Sequence, residues 1–351
     1  MMNEKEKEKM FKQVFHPKKD ENILFLYDTP HDDIKDTEKW FNRRTMAKEW
    51  HSTFNKMGEK EGYIVDISSY PATGLHGSSL PRGIFEIVKK SNIVIALTEF
   101  SASHPLAIIC KSKQSITRCA SLPLVEKRME NTAFKADYSL IQKYTKKLET
   151  LLNNAIGGQV IFSTDDELYV DLRNRKACID DGICHETGKL INLPSGESYI
   201  PPYEAASDEI SVFGKSKTNG ILPDYFDDEI VKYHIKNNKI IKIEGNKEKV
   251  KDRRKFFDTK VCRRNIAELG IGCNPKAIVT GNPLEDEKVE GIHIAYGMSN
   301  SFGGKTKCDM HWDICFPIGA PVAAISLILI DKDGREIELI NKNGLKLDLL
   351  Y

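Results

Sequence analysis

Runs of about five apolar residues alternate with helix-like stretches in the first part of the chain. Two of these runs, residues 23–27 and 93–97, are separated by segments whose apolar positions recur with helical spacing. Such runs between helices are typical of parallel strands that are covered on both faces. The pattern predicts an N-terminal α/β domain with a mostly parallel sheet over residues 21–154. Before it we expect a charged tail at residues 1–20, either solvated or a short helix.

The pattern changes after a predicted helix at residues 136–154, which ends at the pair Gly157 and Gly158. Beyond this pair, short strand-like segments are separated by Gly, Asp, Asn and Pro. We therefore predict a C-terminal mixed α+β domain over residues 155–351. With 351 residues, the chain has about the length of two domains, and its overall class is α/β.

Two strand-like segments near the C-terminus place polar and apolar side chains in alternation. An apolar row made of Met310, Trp312, Ile314 and Phe316 alternates with His311, Asp313 and Cys315, and His293 lies between Ile292 and Ile294. Side chains two residues apart project from the same face of a strand, with Cα atoms about 6.6 Å apart. We predict that the apolar row is buried and that His293, His311 and Asp313 bind a metal ion in a cleft. The alternative is that these histidines are surface or satisfied core residues.

Two glutamates are further candidates for the same site. Glu197 follows a turn-forming segment, and Glu268 lies in an apolar stretch interrupted by glycines at residues 265–272. A carboxylate in such a stretch is expected to be buried, and a buried charge needs a partner or an ion. The alternative for Glu268 is a salt bridge to Arg263 or Arg264.

Four blocks of sequence resemble one enzyme superfamily. The stretch NIAELGIGCNPKAIVTGNPLEDEKVEGIHIAYGMSNSFGGKTKCDMHWDICF resembles the core of the aminopeptidase T and S type metallopeptidases, and of their relative 2,5-dihydroxypyridine dioxygenase. The blocks NIVIALTEFSASHPLA, SITRCASLP and LPSGESYIPPYEA resemble other parts of the same proteins. The resemblance extends, in order, over about residues 80–317.

The resemblance implies a two-domain homodimeric enzyme with a metal site in its C-terminal domain. In the peptidase branch, two glutamates, two histidines, an aspartate and a tyrosine hold two divalent ions. The matching positions here are Glu197, Glu268, His293, His311 and Asp313, whereas the tyrosine position is Asn300. The dioxygenase branch holds a single ferrous ion with two histidines and an aspartate, and His311 and Asp313 match its motif. The expected cofactor is thus Zn, Mn or Co, or Fe(II) in the dioxygenase case.

His104 is a further candidate for a catalytic or binding role. It lies where the superfamily has a Ser-x-x-His element between a strand and a helix. Such a junction in an α/β sheet is a usual place for a ligand crevice. We expect His104 to act as an acid/base or substrate-binding group, with an inert histidine at a helix start as the alternative. The expected catalytic residues are thus His104, Glu197 and Glu268.

The composition of the chain bears on whether the protein binds nucleic acid or a membrane, and on the cellular compartment in which it is found. Lys plus Arg (52) nearly balances Asp plus Glu (51), so no strong basic field favours nucleic acid. The apolar runs are far shorter than the roughly 20 residues that a membrane-spanning helix needs. The eight cysteines form no C-x-x-C pair, and we expect reduced thiols in a cytoplasmic protein.

Three hypotheses about function follow. The first is a metal-dependent hydrolase of the aminopeptidase type, which removes N-terminal residues from peptides by means of a metal-activated water. The second is a non-haem Fe(II) ring-cleaving dioxygenase, and the third is a non-catalytic scaffold, suggested by Asn300 at the tyrosine position. The expected substrate is a small molecule or a short peptide.

Overall fold

Three β-sheets and eight α-helices make up the described part of the chain, residues 1–350 of a computed structural model. The helices are α1 (Glu4–Phe15), α2 (Glu38–Glu61), α3 (Arg82–Lys89), α4 (Ser103–Cys110), α5 (Tyr138–Asn154), α6 (Ile210–Phe213), α7 (Lys247–Thr259) and α8 (Pro283–Asp286). None of the described helices is both long enough and apolar enough to cross a bilayer.

The strands are numbered in chain order. The first nine are β1 (Asn22–Thr29), β2 (Ile64–Pro71), β3 (Ile93–Leu97), β4 (Arg118–Ser121), β5 (Ala155–Phe162), β6 (Glu167–Asp171), β7 (Cys178–Asp180), β8 (Leu190–Asn192) and β9 (Glu197–Ile200). The remaining nine are β10 (Asn219–Phe226), β11 (Glu229–Lys236), β12 (Lys239–Glu244), β13 (Ile266–Gly272), β14 (Gly291–Gly297), β15 (His311–Cys315), β16 (Ala324–Asp331), β17 (Glu336–Asn341) and β18 (Gly344–Leu345).

The chain forms two compact units, each assembled from separate segments. The first comprises residues 1–142, 180–195 and 274–285, and the second comprises residues 143–179, 196–273 and 286–351. The sequence predicted a single division after residue 154. The structure differs because β8 pairs in parallel with β4, which returns a late segment of the chain to the first unit.

The first unit is built on a parallel sheet of order β2-β1-β3-β4-β8. All five residues of β3 are buried, which is what an uninterrupted apolar run in a covered parallel sheet requires. The predicted α/β class with a mostly parallel N-terminal sheet is confirmed.

Helix α1 belongs to the core of this unit, so the interpretation of residues 1–20 as a charged tail is corrected. Asn3 caps the helix and exchanges hydrogen bonds with Glu6, while the apolar face of the helix is buried. On that face, the ring of Phe11 lies 5.3 Å from that of Trp50 and 4.4 Å from that of Phe54. Apart from Lys7, which is buried and pairs with Glu130 at 3.3 Å, the charged residues of α1 lie mostly on the solvent-facing side of an amphipathic helix.

The second unit contains two sheets whose pairings are mostly antiparallel. One has eight strands, in the order β12-β11-β10-β6-β5-β16-β17-β18, and the other has five, in the order β15-β14-β13-β9-β7. They pack face to face: Leu269 of β13 lies over Gly158 of β5, and the rings of Phe316 and Phe162 are 4.8 Å apart. One face of the five-stranded sheet is therefore apolar, and its opposite face carries the polar side chains.

Cysteine pairing differs from the sequence prediction. Cys262 and Cys308 form a disulfide with a Cα–Cα distance of 5.5 Å, and the other six cysteines form no disulfide within the described residues. The two residues are 46 positions apart and form no short motif. Their proximity arises because the turn before β13 and the loop before β15 meet, where Arg263 also pairs with Asp309 at 2.6 Å.

A candidate metal centre in the second unit

Four neighbouring strands bring the predicted ligands to one face of the five-stranded sheet. Glu197 begins β9, Glu268 lies on β13, His293 on β14, and both His311 and Asp313 on β15. On β14, opposite His293, the apolar residues face the second sheet, as the alternation of the sequence implies. The structure thus brings together all five residues that the sequence analysis named as metal ligands.

Two glycines of β13 make room for this arrangement. A β-carbon on Gly270 would overlap the imidazole of His293, and one on Gly272 would overlap the main chain of residues 287–289. Both glycines share a face with Glu268, because they follow it at intervals of two. The glycine-interrupted stretch of the sequence is therefore the surface on which the site is assembled.

The ligand atoms form two sets that share Glu268. Glu197, Glu268 and His293 offer atoms within 4.8 Å of one another, and so do Glu268, His311 and Asp313. Oε1 of Glu268 lies 3.0 Å from Nε2 of His293, and its Oε2 lies 3.5 Å from Nε2 of His311. Across residues 1–350, no such set contains both imidazoles. We call the set of Glu197, Glu268 and His293 the Glu197 set, and the set of Glu268, His311 and Asp313 the Asp313 set.

Both imidazoles are strongly basic in this environment. Burial disfavours the protonated form of His311, but the charge of Asp313 and the hydrogen bond to it prevail and raise the pKa of His311 to about 10. Burial likewise opposes protonation of His293, yet the carboxylates of Glu197 and Glu268 raise its pKa well above the usual value. A cation bound here would displace these protons.

The carboxylates respond differently to the same surroundings. Burial raises the pKa of Asp313, but the charge of His311 outweighs burial and holds it at about 2. Burial also raises the pKa of Glu197, which nevertheless lies below its ordinary value because of the Lys288 ammonium. For Glu268, burial prevails and raises the pKa.

A lysine and a glutamate that the sequence analysis did not identify complete the cluster. Lys288 is fully buried, and its Nζ lies 2.5 Å from Oε1 of Glu197 and 2.8 Å from Oε1 of Glu287. Burial raises the pKa of Glu287 to about 8. In the sequence, the segment Glu-Asp-Glu-Lys resembles an exposed charged turn, and no local signal marks it as part of a site.

The imidazole of His311 is oriented by a hydrogen bond to the main chain on the side away from the carboxylates. Its Nδ1 lies 2.7 Å from the carbonyl oxygen of Met298, so a proton on Nδ1 leaves Nε2 facing Glu268 and Asp313. The ring of Phe302 meets the imidazole edge-on, with ring centroids 5.5 Å apart. The loop that carries both contacts is held by buried Glu204, which accepts hydrogen bonds from the side chain of Ser299 and the amide of Thr306.

The donor set fits a divalent cation. Oε2 of Glu197 and Nδ1 of His293 are buried and have no hydrogen-bond partner within the described residues, although that oxygen lies 3.1 Å from Nε2 of His293. Buried polar atoms normally have such a partner. The three carboxylates and two imidazoles of the two sets are the oxygen and nitrogen donors that zinc and manganese accept.

Other predicted features lie elsewhere or differ. His104 is an exposed residue in the first turn of α4, in the first unit. Asn300 lies exposed in a short 3₁₀ turn and belongs to neither ligand set. Of the predicted apolar row, Ile314 and Phe316 are buried, whereas Trp312 is 53% exposed. This part of the prediction is corrected: β15 is an edge strand, so the second sheet covers only part of it.

Comparison with known proteins supplies a fold. No family profile and no curated protein matches the chain in sequence. Among solved structures, 2,5-dihydroxypyridine dioxygenase from Pseudomonas putida KT2440 superposes with a TM-score of 0.69 at 15% identity, over 98% of each chain. Wild-type AmpT from Thermus thermophilus superposes with a TM-score of 0.63 at 12% identity, also over 98% of each chain.

The chain has the fold of these two enzymes. They represent the two branches that the sequence blocks resemble, so the resemblance extends to the architecture of almost the whole chain. At this level of identity, the shared fold does not select one activity over the other.

Proposed function

We propose that the chain is a metal-dependent hydrolase of the aminopeptidase type that removes N-terminal residues from peptides. The observation that carries this proposal is the composition of the two ligand sets. Each contains one imidazole and two carboxylates, and the two sets share Glu268. Oxygen-rich sites of this kind suit zinc, manganese or cobalt ions that act as Lewis acids.

The same observation disfavours the ferrous dioxygenase. A mononuclear non-haem iron oxygenase needs two histidines and one carboxylate on a single ion. His293 and His311 belong to different sets, and each approaches a different oxygen of Glu268. The non-catalytic scaffold is disfavoured as well, because a scaffold has no need to bury Glu197, Glu268 and His293 together.

The roles of the residues follow from their contacts. Glu268, His311 and Asp313 would hold the ion, which when bound lowers the pKa of a coordinated water and polarises the scissile carbonyl. Glu197 is the general base, because its carboxylate is ionised and is bound by Lys288 through Oε1. Its Oε2 accepts the proton of the attacking water and then delivers it to the leaving amine. Glu268, shared by both sets, is a ligand rather than a base.

His104 and the assembly of the protein belong to the proposal as well. We assign to His104 a role in substrate binding or proton transfer, supported by its position at the junction of a parallel strand and a helix. On the basis of the sequence resemblance, we also propose a homodimer that acts on short peptides or small molecules. From the composition of the chain, we propose that it is cytoplasmic and has no nucleic acid or membrane partners.

Metal analysis coupled to a substrate screen tests this proposal. Protein purified without chelators is analysed for metals and then assayed on dipeptides and aminoacyl aryl-amides, with and without added Zn²⁺, Mn²⁺ or Co²⁺. We expect ion-dependent release of the N-terminal residue, and no release by the Asp313→Asn variant. Oxygen consumption with an Fe(II)-loaded sample and a dihydroxypyridine, without peptide hydrolysis, would overturn the proposal in favour of the dioxygenase.

A further inference from the structure

The second unit contains a buried cation of its own within the metal centre. Lys288 is 0% exposed and lies against the Glu197 set, where its Nζ contacts Glu197 and Glu287. A lysine is almost never fully buried unless its charge is paired. Here Glu197 supplies the paired charge at 2.5 Å and Glu287 a second contact at 2.8 Å, so the ammonium is an integral part of the site.

The main chain around Lys288 packs closely against strand β13. The segment of residues 287–289 passes directly over Gly272 of β13, so closely that a β-carbon on this glycine would overlap its main chain. Gly272 is paired in register with Glu197 on the neighbouring strand β9. The lysine and the glutamate are therefore brought together by strand β9 and by a turn that lies against β13.

The ammonium affects the two ligand sets unequally. It bonds directly to Glu197, whereas Glu268 and Asp313 of the other set face His311 at 3.5 and 3.4 Å. A divalent ion in the Glu197 set would bind the second oxygen of a carboxylate already bonded to a positive charge. Like charges at such short range repel strongly in a buried site.

We infer that Lys288 takes the place of a second metal ion, so that the chain holds a single divalent ion, in the Asp313 set. Lys288 is then a positioning residue: it neutralises and orients Glu197 and keeps this carboxylate free of the ion. This inference rests on the proposed function, in which Glu197 serves as the base. It explains how a site with two ligand sets supplies both an ion and an independent carboxylate.

Metal stoichiometry tests the inference directly. The full chain is dialysed to equilibrium against Zn²⁺ and, separately, Mn²⁺, and ions per chain are counted by inductively coupled plasma mass spectrometry. We expect one ion in the wild type and two in Lys288→Gln, which removes the competing charge. Lys288→Arg keeps the charge and should bind one ion. As a matched control, Lys239→Gln alters a half-buried lysine, which bonds to Asn265, and should also bind one ion.

A second variant keeps the test decisive if Lys288→Gln does not fold. Glu197→Gln should retain one ion with unchanged affinity, because Glu197 is not a ligand in this scheme. Two ions in the wild type, one ion in a folded Lys288→Gln, or loss of the ion from Glu197→Gln would each overturn the inference. Two ions in an active peptidase would leave the proposed function intact, whereas one ion without peptidase activity would refute only the function.

Discussion

Single side chains of β15 provide the most direct test of the centre. His311→Ala and Asp313→Asn each remove a ligand from the Asp313 set, and both side chains project away from the core between the sheets. We expect each variant to fold normally and to lose metal affinity by about 100-fold or more. Isothermal titration with Zn²⁺ measures the loss, and circular dichroism checks the fold.

A matched histidine outside the centre serves as the control for these variants. His234 lies on β11 of the same unit and pairs with Glu244 at 2.9 Å near the surface. His234→Ala should leave metal binding unchanged. Full metal content in His311→Ala or Asp313→Asn would show that the Asp313 set is not the metal site.

A variant of His104 tests whether this residue contributes to turnover without contributing to metal binding. The residue lies on α4 in the first unit, whereas every residue of the two ligand sets belongs to the second unit. We therefore expect His104→Ala to retain its metal while turnover of a peptide substrate falls about 100-fold or more, which is typical for the loss of a general acid or base. Steady-state kinetics on a confirmed substrate measure the effect, and unchanged kinetics would remove His104 from the active site.

At the level of strands, the glycines of β13 leave the space that the ligand side chains occupy. Gly270→Ala places a methyl group where the His293 imidazole lies, so the ring must move away from Glu268. We expect a folded protein whose metal affinity is lower by about tenfold or more, because displaced ligands bind poorly. Titration calorimetry measures the affinity.

The control for this variant is a glycine with open space around it. A β-carbon on Gly83 of α3 meets no atom within 4 Å, so Gly83→Ala should leave metal affinity unchanged. It should also stabilise the protein slightly, by up to about 1 kcal/mol, through its higher helix propensity. Equal metal affinities in Gly270→Ala and the wild type would show that the position of His293 is not critical.

An ion pair joins β4 of the first unit to the residue before β1, with Arg118 buried and Glu21 partly buried. Arg118 bonds to both oxygens of Glu21 at 2.7 and 2.8 Å. Burial raises the pKa of Glu21, but the bonds from Arg118 and the Lys18 amide outweigh burial and hold it below the ordinary value of 4.5. Glu21→Gln leaves the Arg118 charge without its partner, and we expect the free energy of unfolding to fall by about 3 kcal/mol.

The pH dependence of this effect has a defined sign. Because the pKa is lowered in the folded state, the contribution of Glu21 is complete above pH 4.5 and is lost as the pH falls through its folded pKa. The stability difference between wild type and variant should therefore shrink in acid, as measured by urea unfolding. Glu86→Gln, at an exposed site on α3, should change stability by less than about 0.5 kcal/mol. A difference independent of pH would contradict this account.

For the chain as a whole, metal binding should be linked to folding. A divalent ion that binds only the folded state stabilises it by about 2.7 kcal/mol when its concentration is 100 times its Kd. We expect Zn²⁺ or Mn²⁺ to raise the unfolding temperature of the wild type and to leave that of His311→Ala unchanged. The same rise in both proteins would indicate that the ion binds outside the centre.

Much of this molecule follows from local patterns in the chain. The apolar runs predicted the parallel sheet because a strand covered on both faces needs apolar side chains at every position. Alternation on β14 and β15 placed His293, His311 and Asp313 on the polar faces of their strands. The sequence context suggested Glu197 and Glu268, and the resemblance matched both to ligand positions. Each of these inferences depends on the geometry of a single strand or on a continuous motif, and the assignment of the five side chains as metal ligands stays a prediction.

Contacts between segments that are distant in sequence required the folded structure. Nothing in the local sequence indicates that Lys288 bonds to Glu197, or that Cys262 lies beside Cys308. The return of β8 to the first sheet and the exposure of Trp312 depend in the same way on which strands become neighbours. A repeating pattern specifies the face on which a side chain lies, whereas its charge partner depends on how the strands are ordered and on where a glycine lets the chain approach.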